Sequence, residues 1–561
     1  MTKTIYVSDH AIQPPLPETS LFTYLTGVGG PSPLPKFSAD LPAFIDGATD
    51  RILTRGDLIN NALKLAGSLN ALGLGKGSTA CIWGFNSLPW AQTVYGCLAA
   101  GVTLSPANYA YEPHELAHQL NNSGAEIIFI DADLLPKFDA ARKDLKREWP
   151  DSRIVLLEQS PANGGITSQR FKTVADLVKE GKPAQPAKFD GAEAHSNDSW
   201  RCYSSGTTGL PKGVQTSHWN MTSQLQCANI AFTNMAEGKD VVLCFLPFSH
   251  IYAVTLALCQ PFSQGRPVVV LPRFEEIQVL KTIQKVTMVH LVPPLFLVLL
   301  QSKNVPNYDL SSIKKAMSGA APLSSEICDA FLKLIPGVRI LQGYGMTETS
   351  PNICTMNEHE SVGRDGWVGR LIPHTEARLV DPETGMDSER GQPGELWVRS
   401  PSVMRGYHLN PKATAETIVE DGWLRTGDIL VRDEQGWYKV VDRLKELIKY
   451  KGLQVAPAEL EGLLLTNPGV KDVGVVGVWD AKQATEMPRA YVVSGVPPNE
   501  LHRFVDDRVA QHKRLRGGIV FLETIPKSPS GKILRKNLRE MAKQDKEKVH
   551  YRAGQGARAR L

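Results

Sequence analysis

The sequence predicts an α/β fold: a large N-terminal domain of parallel sheets covered by helices, then a small β-rich subdomain, then a small α+β C-terminal domain. Helix-like and strand-like apolar patterns alternate between residues 58 and 130 and again between 240 and 340, which is typical of parallel sheets covered by helices. After residue 370 short strands separated by turns dominate, and a mixed α and β pattern follows from about residue 446. A chain of 561 residues is too long for one ordinary domain.

The individual elements follow from the spacing of apolar residues and from the glycines that end each pattern. Helices are predicted at residues 58–72, 89–100 and 112–121. Strands are predicted between and after them, at 79–83, 102–104, 127–130, 241–245 and 267–271. The short strands of the β-rich part are predicted at 377–380, 394–399 and 436–441.

Composition excludes several classes of protein. The net charge of +4 gives no reason to expect nucleic acid as a partner, although residues 532–561 carry ten Lys or Arg against three Asp or Glu. A solvated helical tail is the main interpretation of that segment, with a nucleic-acid or membrane arm as the alternative. The eight cysteines form no CxxC pair, which favours buried free thiols over a disulfide framework or zinc site. The apolar stretch at 288–300 is too short to span a bilayer, so we expect that the protein is not an integral membrane protein.

A run of small and hydroxyl residues at 203–213, YSSGTTGLPKG, suits polyphosphate binding. Small residues let the backbone N–H groups approach phosphate oxygens closely, and Lys212 adds a positive charge. It is not a Walker A loop, because the GxxxxGK[ST] spacing is absent. The candidate phosphate contacts are Ser204, Ser205, Gly206, Thr207, Thr208, Gly209 and Lys212.

This run resembles the phosphate loop of the adenylate-forming superfamily, which includes acyl-CoA ligases, peptide-synthetase adenylation domains and luciferases. The similarity extends over about residues 58–537. It implies an ATP-dependent acid–thiol ligase that forms an acyl-adenylate and then an acyl-CoA thioester, with ATP, Mg²⁺ and coenzyme A taking part. The domains implied are an N-terminal AMP-binding domain at 1–444, with its β-rich subdomain at about 371–444, a C-terminal lid domain at 445–543 and a basic tail at 544–561.

Two further motifs match the nucleotide site of this family. In QGYGMTET, residues 342–349, the resemblance places Tyr344 and Gly345 at adenine, Thr347 at phosphate and Glu348 on Mg²⁺, and a carboxylate is a ligand that this hard cation prefers.

The second motif is WLRTGD at 423–428. There Asp428 matches the acceptor of both ribose hydroxyls, and Arg443 resembles a second contact to ribose and phosphate.

The C-terminal part carries the remaining catalytic positions. Lys445 matches the hinge of the family, about which a small mobile α+β domain turns. Lys449 and Gln454 match positions near the reacting carboxylate and the thiol in plant coumarate ligases, with a solvated basic stretch as the alternative interpretation. Lys532, in PKSPSGKILRK at 526–536, matches the catalytic lysine that bridges the acid and the α-phosphate.

The acid pocket is implied by two segments, LPFSHIYA at 246–253 and MSGAAP at 317–322. By resemblance to coumarate ligases, His250 gates the thiol tunnel and Tyr252 lines the acid pocket, although a hydrogen-bonded core histidine is the alternative interpretation of His250. The opposite wall is formed by Met317, Gly319 and Ala320. Plant coumarate ligases often carry a lysine where Met317 stands. With Thr255, this indicates a more apolar pocket, which suits cinnamate-like, phenylacetate-like or medium-chain acids. The substrate class implied by the resemblance as a whole is an aryl acid, hydroxycinnamate-like or phenylacetate-like, or a medium-chain acid.

The final tripeptide Ala559-Arg560-Leu561 resembles a peroxisomal import signal. It predicts a peroxisomal location with the import receptor as a partner, the alternatives being a chance match and the cytoplasm. The whole chain resembles a fungal acyl- or aryl-CoA ligase of the 4-coumarate type.

Three other functions share these motifs: loading of a separate carrier protein, a luciferase-like oxygenase, and an inactive acid- or nucleotide-binding protein. Intact Glu348, Asp428 and Lys532 argue against the last of these.

Overall fold

The first large sheet has seven strands and confirms the predicted α/β alternation. The computed structural model describes residues 3–158, 170–204, 210–231, 239–321, 323, 325–451, 453–480, 483, 485–528, 531–545 and 548–551. The strand order in this sheet is Gly406–Tyr407, Lys212–Ser217, Asp198–Ser204, Thr103–Ala107, Thr79–Trp83, Ile127–Ile130 and Ile154–Leu156. The last five strands of that order run parallel, as expected from the helices that connect them.

The second large sheet has nine strands and carries much of the apolar core. Its order is Arg370–Leu371, Asn352–Thr355, Arg339–Gly345, Lys315–Ser318, Met288–Leu291, Val242–Cys244, Val268–Val270, Pro42–Asp46 and Ile52–Thr54. The six strands from Arg339–Gly345 to Pro42–Asp46 are parallel. Their carboxyl ends therefore meet at one edge, where α/β proteins bind ligands.

Helices cover both sheets and pack closely against each other. The would-be Cβ of Gly96 lies 2.4 Å from Leu65 Cδ2, so the helices Arg55–Ala71 and Leu88–Ala100 meet where no side chain fits. The other α-helices of this domain are Leu21–Thr26, Pro113–Ser123, Leu135–Ala141, Val174–Glu180, Ala192–Ser196, His218–Ala231, Ile251–Ala253, Gln260–Ser263, Glu276–Ile283, Pro293–Gln301, Ser325–Leu334 and Pro411–Thr417.

The β-rich subdomain is a five-stranded antiparallel sheet. Its strands, in order, are Tyr6–Val7, Glu376–Val380, Gly394–Arg399, Leu424–Arg432 and Tyr438–Arg443. The first of these comes from the start of the chain and pairs with Glu376–Val380, which no sequence pattern indicated. The sheet ends at Arg443, directly before the turn that leads into the C-terminal domain.

The C-terminal domain has its own core. A hairpin of Ile448–Tyr450 and Leu453–Val455 precedes a sheet of Val470–Asp480, Thr485–Ser494 and Gly518–Phe521. The helices Pro457–Leu465, Pro498–Asp506 and Arg535–Gln544 complete this domain. Leu460, Val475 and Leu501 are fully buried within it and form a cluster separate from the main core.

Most predicted elements lie where the apolar spacing places them, with small shifts at their ends. The helix predicted at 58–72 is observed at Arg55–Ala71, because the Thr54 side chain accepts from Asp57 N and starts the helix earlier. The strand predicted at 436–441 is observed at Tyr438–Arg443, since Gly436 adopts a turn with φ 90°. All eight cysteines are buried and free, as predicted. Among the described residues, no helix is long and apolar enough to cross a bilayer.

Candidate active site between the two domains

An ionic and hydrogen-bonded group at the end of the β-rich sheet forms the first part of the site. Asp428 and Arg443 are cross-strand partners, and their Oδ1 and Nε atoms lie 3.2 Å apart. The Tyr344 hydroxyl donates to Asp428 Oδ2 at 2.7 Å. Burial and the neighbouring carboxylate raise the pKa of Tyr344 well above its usual range, so it stays a donor. Each carboxylate oxygen keeps a further lone pair for an incoming hydroxyl.

Lys532 lies within the electrostatic reach of this group, although it comes from the C-terminal domain. Its segment packs against the large domain, with Gly531 facing Val292 and Pro294. Burial, followed by the charge of Arg443, lowers the pKa of Lys532 to about 8, while Glu446 and Asp428 oppose this shift. The lysine is therefore mostly protonated at neutral pH.

His250 stands near Lys532 and is neutral at physiological pH. Burial, and then the charge of Lys532, lowers the pKa of His250 to about 4. Its Nδ1 accepts from Tyr252 N at 3.2 Å, and its Nε2 has no hydrogen-bond partner within the described part of the chain. The hydrogen bond through Nδ1 agrees with the alternative of a hydrogen-bonded core histidine. Its electrostatic interaction with Lys532 keeps His250 a candidate for the site.

Glu348 is fixed by a tyrosine that sequence reasoning missed. The Tyr407 hydroxyl donates to Glu348 Oε1 at 2.7 Å, and Lys212 Nζ lies 4.0 Å from the centre of the Tyr407 ring. Tyr407 reaches them because Gly406–Tyr407 pairs with the strand Lys212–Ser217. The second oxygen, Glu348 Oε2, has no hydrogen-bond partner among the described residues. The only sequence signal was a lone Gly-Tyr pair, 59 residues from Glu348.

The hydroxyl of Ser204 and the carboxylate of Glu348 suit two different ligands. A hydroxyl can donate to a phosphate oxygen, and a carboxylate can bind Mg²⁺. The buried Ser204 hydroxyl has no partner in the described part of the chain, so an anionic ligand would satisfy it. Thr347 begins the short turn Thr347–Thr349 beside Glu348. The candidate residues Ser205, Gly206, Thr207, Thr208 and Gly209 lie outside the described residues. Among the described residues there is no group of three or more His, Cys, Asp or Glu that could hold a metal alone.

The acid pocket candidates gather on one face of the nine-stranded sheet. His290 and Met317 are partners in register, and the would-be Cβ of Gly319 lies 2.8 Å from Tyr252 Cε2, so the tyrosine ring packs on the bare backbone. The Met317 methyl group lies 3.0 Å from the position that a Cβ atom would take at Gly343. Tyr252 and Gly319 are therefore direct neighbours, whereas the resemblance placed them on opposite walls of the acid pocket.

Three details of this region were not predicted from the sequence. The Tyr252 hydroxyl lies 3.2 Å from His290 Nδ1, and burial lowers the pKa of His290 to about 3, so the pair is polar but uncharged. Thr255 does not contribute a free hydroxyl, because it donates to Ser350 O at 3.0 Å. Ala320 is exposed at φ 68°, a strained conformation of the kind found at functional sites.

The remaining candidates lie on the surface. Lys445 is exposed in the turn after Arg443, where Glu446 N donates to Arg443 O at 2.9 Å. Lys449 and Gln454 face each other across the hairpin and are both exposed. Lys532 is therefore within electrostatic range of Asp428 and His250, whereas Lys449 and Gln454 are exposed to solvent. Ala559, Arg560 and Leu561 lie outside the described residues.

Comparison with known proteins identifies the family of this chain. Residues 35–408 match the family model "AMP-binding enzyme", and residues 459–532 match "AMP-binding enzyme C-terminal domain". The chain is 38% identical to 4-coumarate–CoA ligase 2 of Solanum tuberosum and 37% identical to peroxisomal OPC-8:0-CoA ligase 1 of Arabidopsis thaliana, covering 89% of this chain and 90% of each relative.

Solved structures show the same fold. The anthranilate CoA ligase AuaEII in complex with anthranoyl-AMP matches with a TM-score of 0.82 at 25% identity, covering 95% of this chain and 98% of that one. ATP-bound MatB from Rhodopseudomonas palustris matches with a TM-score of 0.80 at 25% identity, covering 93% and 99%. These matches confirm the predicted acid–thiol ligase class, and the chain belongs to the AMP-binding enzyme family.

Proposed function

We propose that the protein activates an aryl or medium-chain carboxylic acid with ATP as an acyl-adenylate and transfers the acyl group to coenzyme A. The observation that carries this proposal is the packing of the Lys532 segment on the large domain, where Gly531 lies against Val292 and Pro294. Asp428, Arg443 and His250 are within electrostatic range of the lysine. A protonated amine there would hold the acid and the nucleotide phosphate together.

In the first half-reaction the substrate carboxylate attacks the α-phosphorus of ATP, and pyrophosphate leaves. No side-chain nucleophile is required, because the substrate supplies one. Asp428 would accept the ribose hydroxyls while Tyr344 and Arg443 hold its carboxylate rigid. Lys532 would neutralise the acid and the α-phosphate in the transition state, where such charges contribute most.

Glu348 and the hydroxyls of the phosphate run would hold the metal–nucleotide pair. Mg²⁺, when bound, neutralises phosphate charge, and Glu348 Oε2 is the protein oxygen that would hold it. Tyr407 orients Glu348 through its other oxygen. Ser204 supplies a buried hydroxyl with no protein partner in the described chain, which an anionic oxygen satisfies.

In the second half-reaction the thiolate of coenzyme A attacks the acyl carbon and AMP leaves. We infer that the C-terminal domain turns about Lys445, which removes Lys532 from the site. The turn at Lys445 is exposed, so it can absorb a backbone rotation at small cost. The same rotation would bring the exposed pair Lys449 and Gln454 toward the site, and the neutral His250 would border the path of the thiol.

The pocket wall favours an acid without a charged tail. Met317 and Tyr252 present a thioether and an aromatic ring, which suit an aromatic or alkyl group. The uncharged pair of Tyr252 and His290 offers one polar contact without a charge. We also propose peroxisomal import through Ala559-Arg560-Leu561, consistent with a relative named as peroxisomal.

A pyrophosphate-release panel tests the proposal. ATP, Mg²⁺ and hydroxycinnamic, phenylacetic and medium-chain acids are supplied with and without coenzyme A, and Lys532→Ala is the matched control. The proposal predicts turnover that depends on coenzyme A for one acid class and a strong loss in Lys532→Ala. Turnover of no acid in the presence of coenzyme A, or equal rates for wild type and Lys532→Ala, would contradict it.

A further inference from the structure

Asp442 is a buried carboxylate that joins the two domains beside the proposed hinge. Its Oδ1 accepts from Arg443 N at 2.6 Å, and its Oδ2 accepts from Ala458 N at 3.1 Å. Arg443 ends the last strand of the β-rich sheet, whereas Ala458 lies in the first turn of the helix Pro457–Leu465 in the C-terminal domain. The residue is only 4% exposed, so the hydrogen bond is shielded from water.

This hydrogen bond belongs to the orientation seen here. Asp442 precedes Lys445 and Ala458 follows it, so a turn about Lys445 moves Ala458 and leaves Asp442 in place. The carboxylate faces the positive end of the helix dipole as well as the N–H group. Breaking the contact therefore costs more than breaking a neutral hydrogen bond.

The same helix is held to the segment that carries Lys532 by a salt bridge between Glu461 and Arg535. Glu461, one turn further along the helix, lies 2.6 Å from Arg535 Nη2 and also accepts from Val475 N at 2.8 Å. Arg535 binds Glu446 as well, at 2.5 Å. Arg535 follows Lys532 by three residues, so the lysine segment and the helix move as one unit.

We propose that Asp442 is a positioning residue for adenylate formation. Asp442 fixes the helix Pro457–Leu465 through Ala458 N. Glu461 of this helix binds Arg535, and Arg535 fixes the segment that carries Lys532. In the orientation that forms the thioester Ala458 has moved away, so Asp442 keeps its hydrogen bond to Arg443 N but no longer fixes the helix. This inference rests on the proposed function and on Lys445 as the turning point.

The test separates the two half-reactions in Asp442→Asn, which keeps the shape of the side chain and removes its charge. Adenylate formation is measured without coenzyme A, and thioester formation is measured from synthetic acyl-adenylate and coenzyme A. We expect the first rate to fall about tenfold, the order expected for one hydrogen bond to a charged acceptor, and the second to stay at the wild-type value.

Two further variants keep the test decisive. Ala458→Pro removes the N–H donor and leaves Asp442 intact, and proline is tolerated in the first turn of a helix, so it should give the same split. Asp131→Asn is the matched control, since Asp131 also accepts a backbone N–H, from Phe85 at 2.6 Å, with both partners in the large domain. It should leave the ratio of the two rates unchanged.

An equal loss in both half-reactions, or no loss in either, for Asp442→Asn and Ala458→Pro would overturn the role of Asp442. Wild-type protein in the same assays separates this failure from that of the proposed function. If wild type forms no adenylate with any acid, the proposed function is wrong and the inference falls with it.

Discussion

The charge of Lys532 should limit adenylate formation at alkaline pH. Burial and the nearby Arg443 lower the pKa of Lys532 to about 8, well below that of a lysine in water. The protonated form is the one that neutralises two anions, so activity should be full below this pKa and lost as the pH rises through it. His250, with a pKa of about 4, stays neutral over this range and adds no second transition.

The size of the effect follows from the pKa itself. At pH 9 about one molecule in eleven keeps the charge, so the rate should fall about tenfold for each further pH unit. The free-enzyme pKa appears in kcat/KM, so kcat/KM for ATP in pyrophosphate release is the quantity to follow from about pH 6.5 to 9.5.

The matched variant is Lys532→Arg, since a guanidinium stays charged throughout this range. We expect a lower rate at neutral pH, because the geometry differs, together with a profile that no longer falls on the alkaline side. The same alkaline fall in wild type and Lys532→Arg would refute the assignment of the transition to Lys532.

Three further substitutions test other parts of the site. Tyr407→Phe removes the hydroxyl that holds Glu348, so kcat should fall about fivefold and the Mg²⁺ concentration that gives half-maximal rate should rise. An unchanged Mg²⁺ titration would contradict the role of this pair. Gly319→Ala places a methyl group 2.8 Å from the Tyr252 ring, and overpacking of this kind costs about 1–3 kcal/mol. KM for the acid should therefore rise, while KM for ATP, measured in the same assay, stays constant. Asp428→Asn loses the ion pair with Arg443 and a charged acceptor, so KM for ATP should rise about tenfold or more. A rise in KM for the acid alone would argue against ribose binding by Asp428.

The candidate site residues that the sequence offers lie in contiguous motifs. Asp428, Glu348 and Lys532 each stand in a run that resembles a motif of the adenylate-forming superfamily, and their roles stay predictions. Tyr407 and His290 could not be identified in this way, because each acts through a partner distant in the chain, Glu348 and Tyr252. Nothing in the local sequence distinguishes Tyr407, which lies in a two-residue strand, from any other tyrosine of the chain.

The fold shows the same division between local and distant interactions. The helices and central strands were predicted from apolar spacing, which is a local property. The strand Tyr6–Val7 was not, since its pairing with Glu376–Val380 depends on residues far along the chain. The orientation of the C-terminal domain was also beyond prediction, because it is set by contacts such as Asp442 with Ala458.

The most direct test of the whole account is mass spectrometry of the products formed from ATP, Mg²⁺ and the preferred acid. Without coenzyme A the account predicts a bound acyl-adenylate, and with coenzyme A it predicts AMP and the acyl-CoA thioester. Lys532→Ala should form little adenylate, yet convert supplied acyl-adenylate to the thioester. An oxidised acid product, or AMP without any thioester, would contradict the central claim that this enzyme is a coenzyme A ligase.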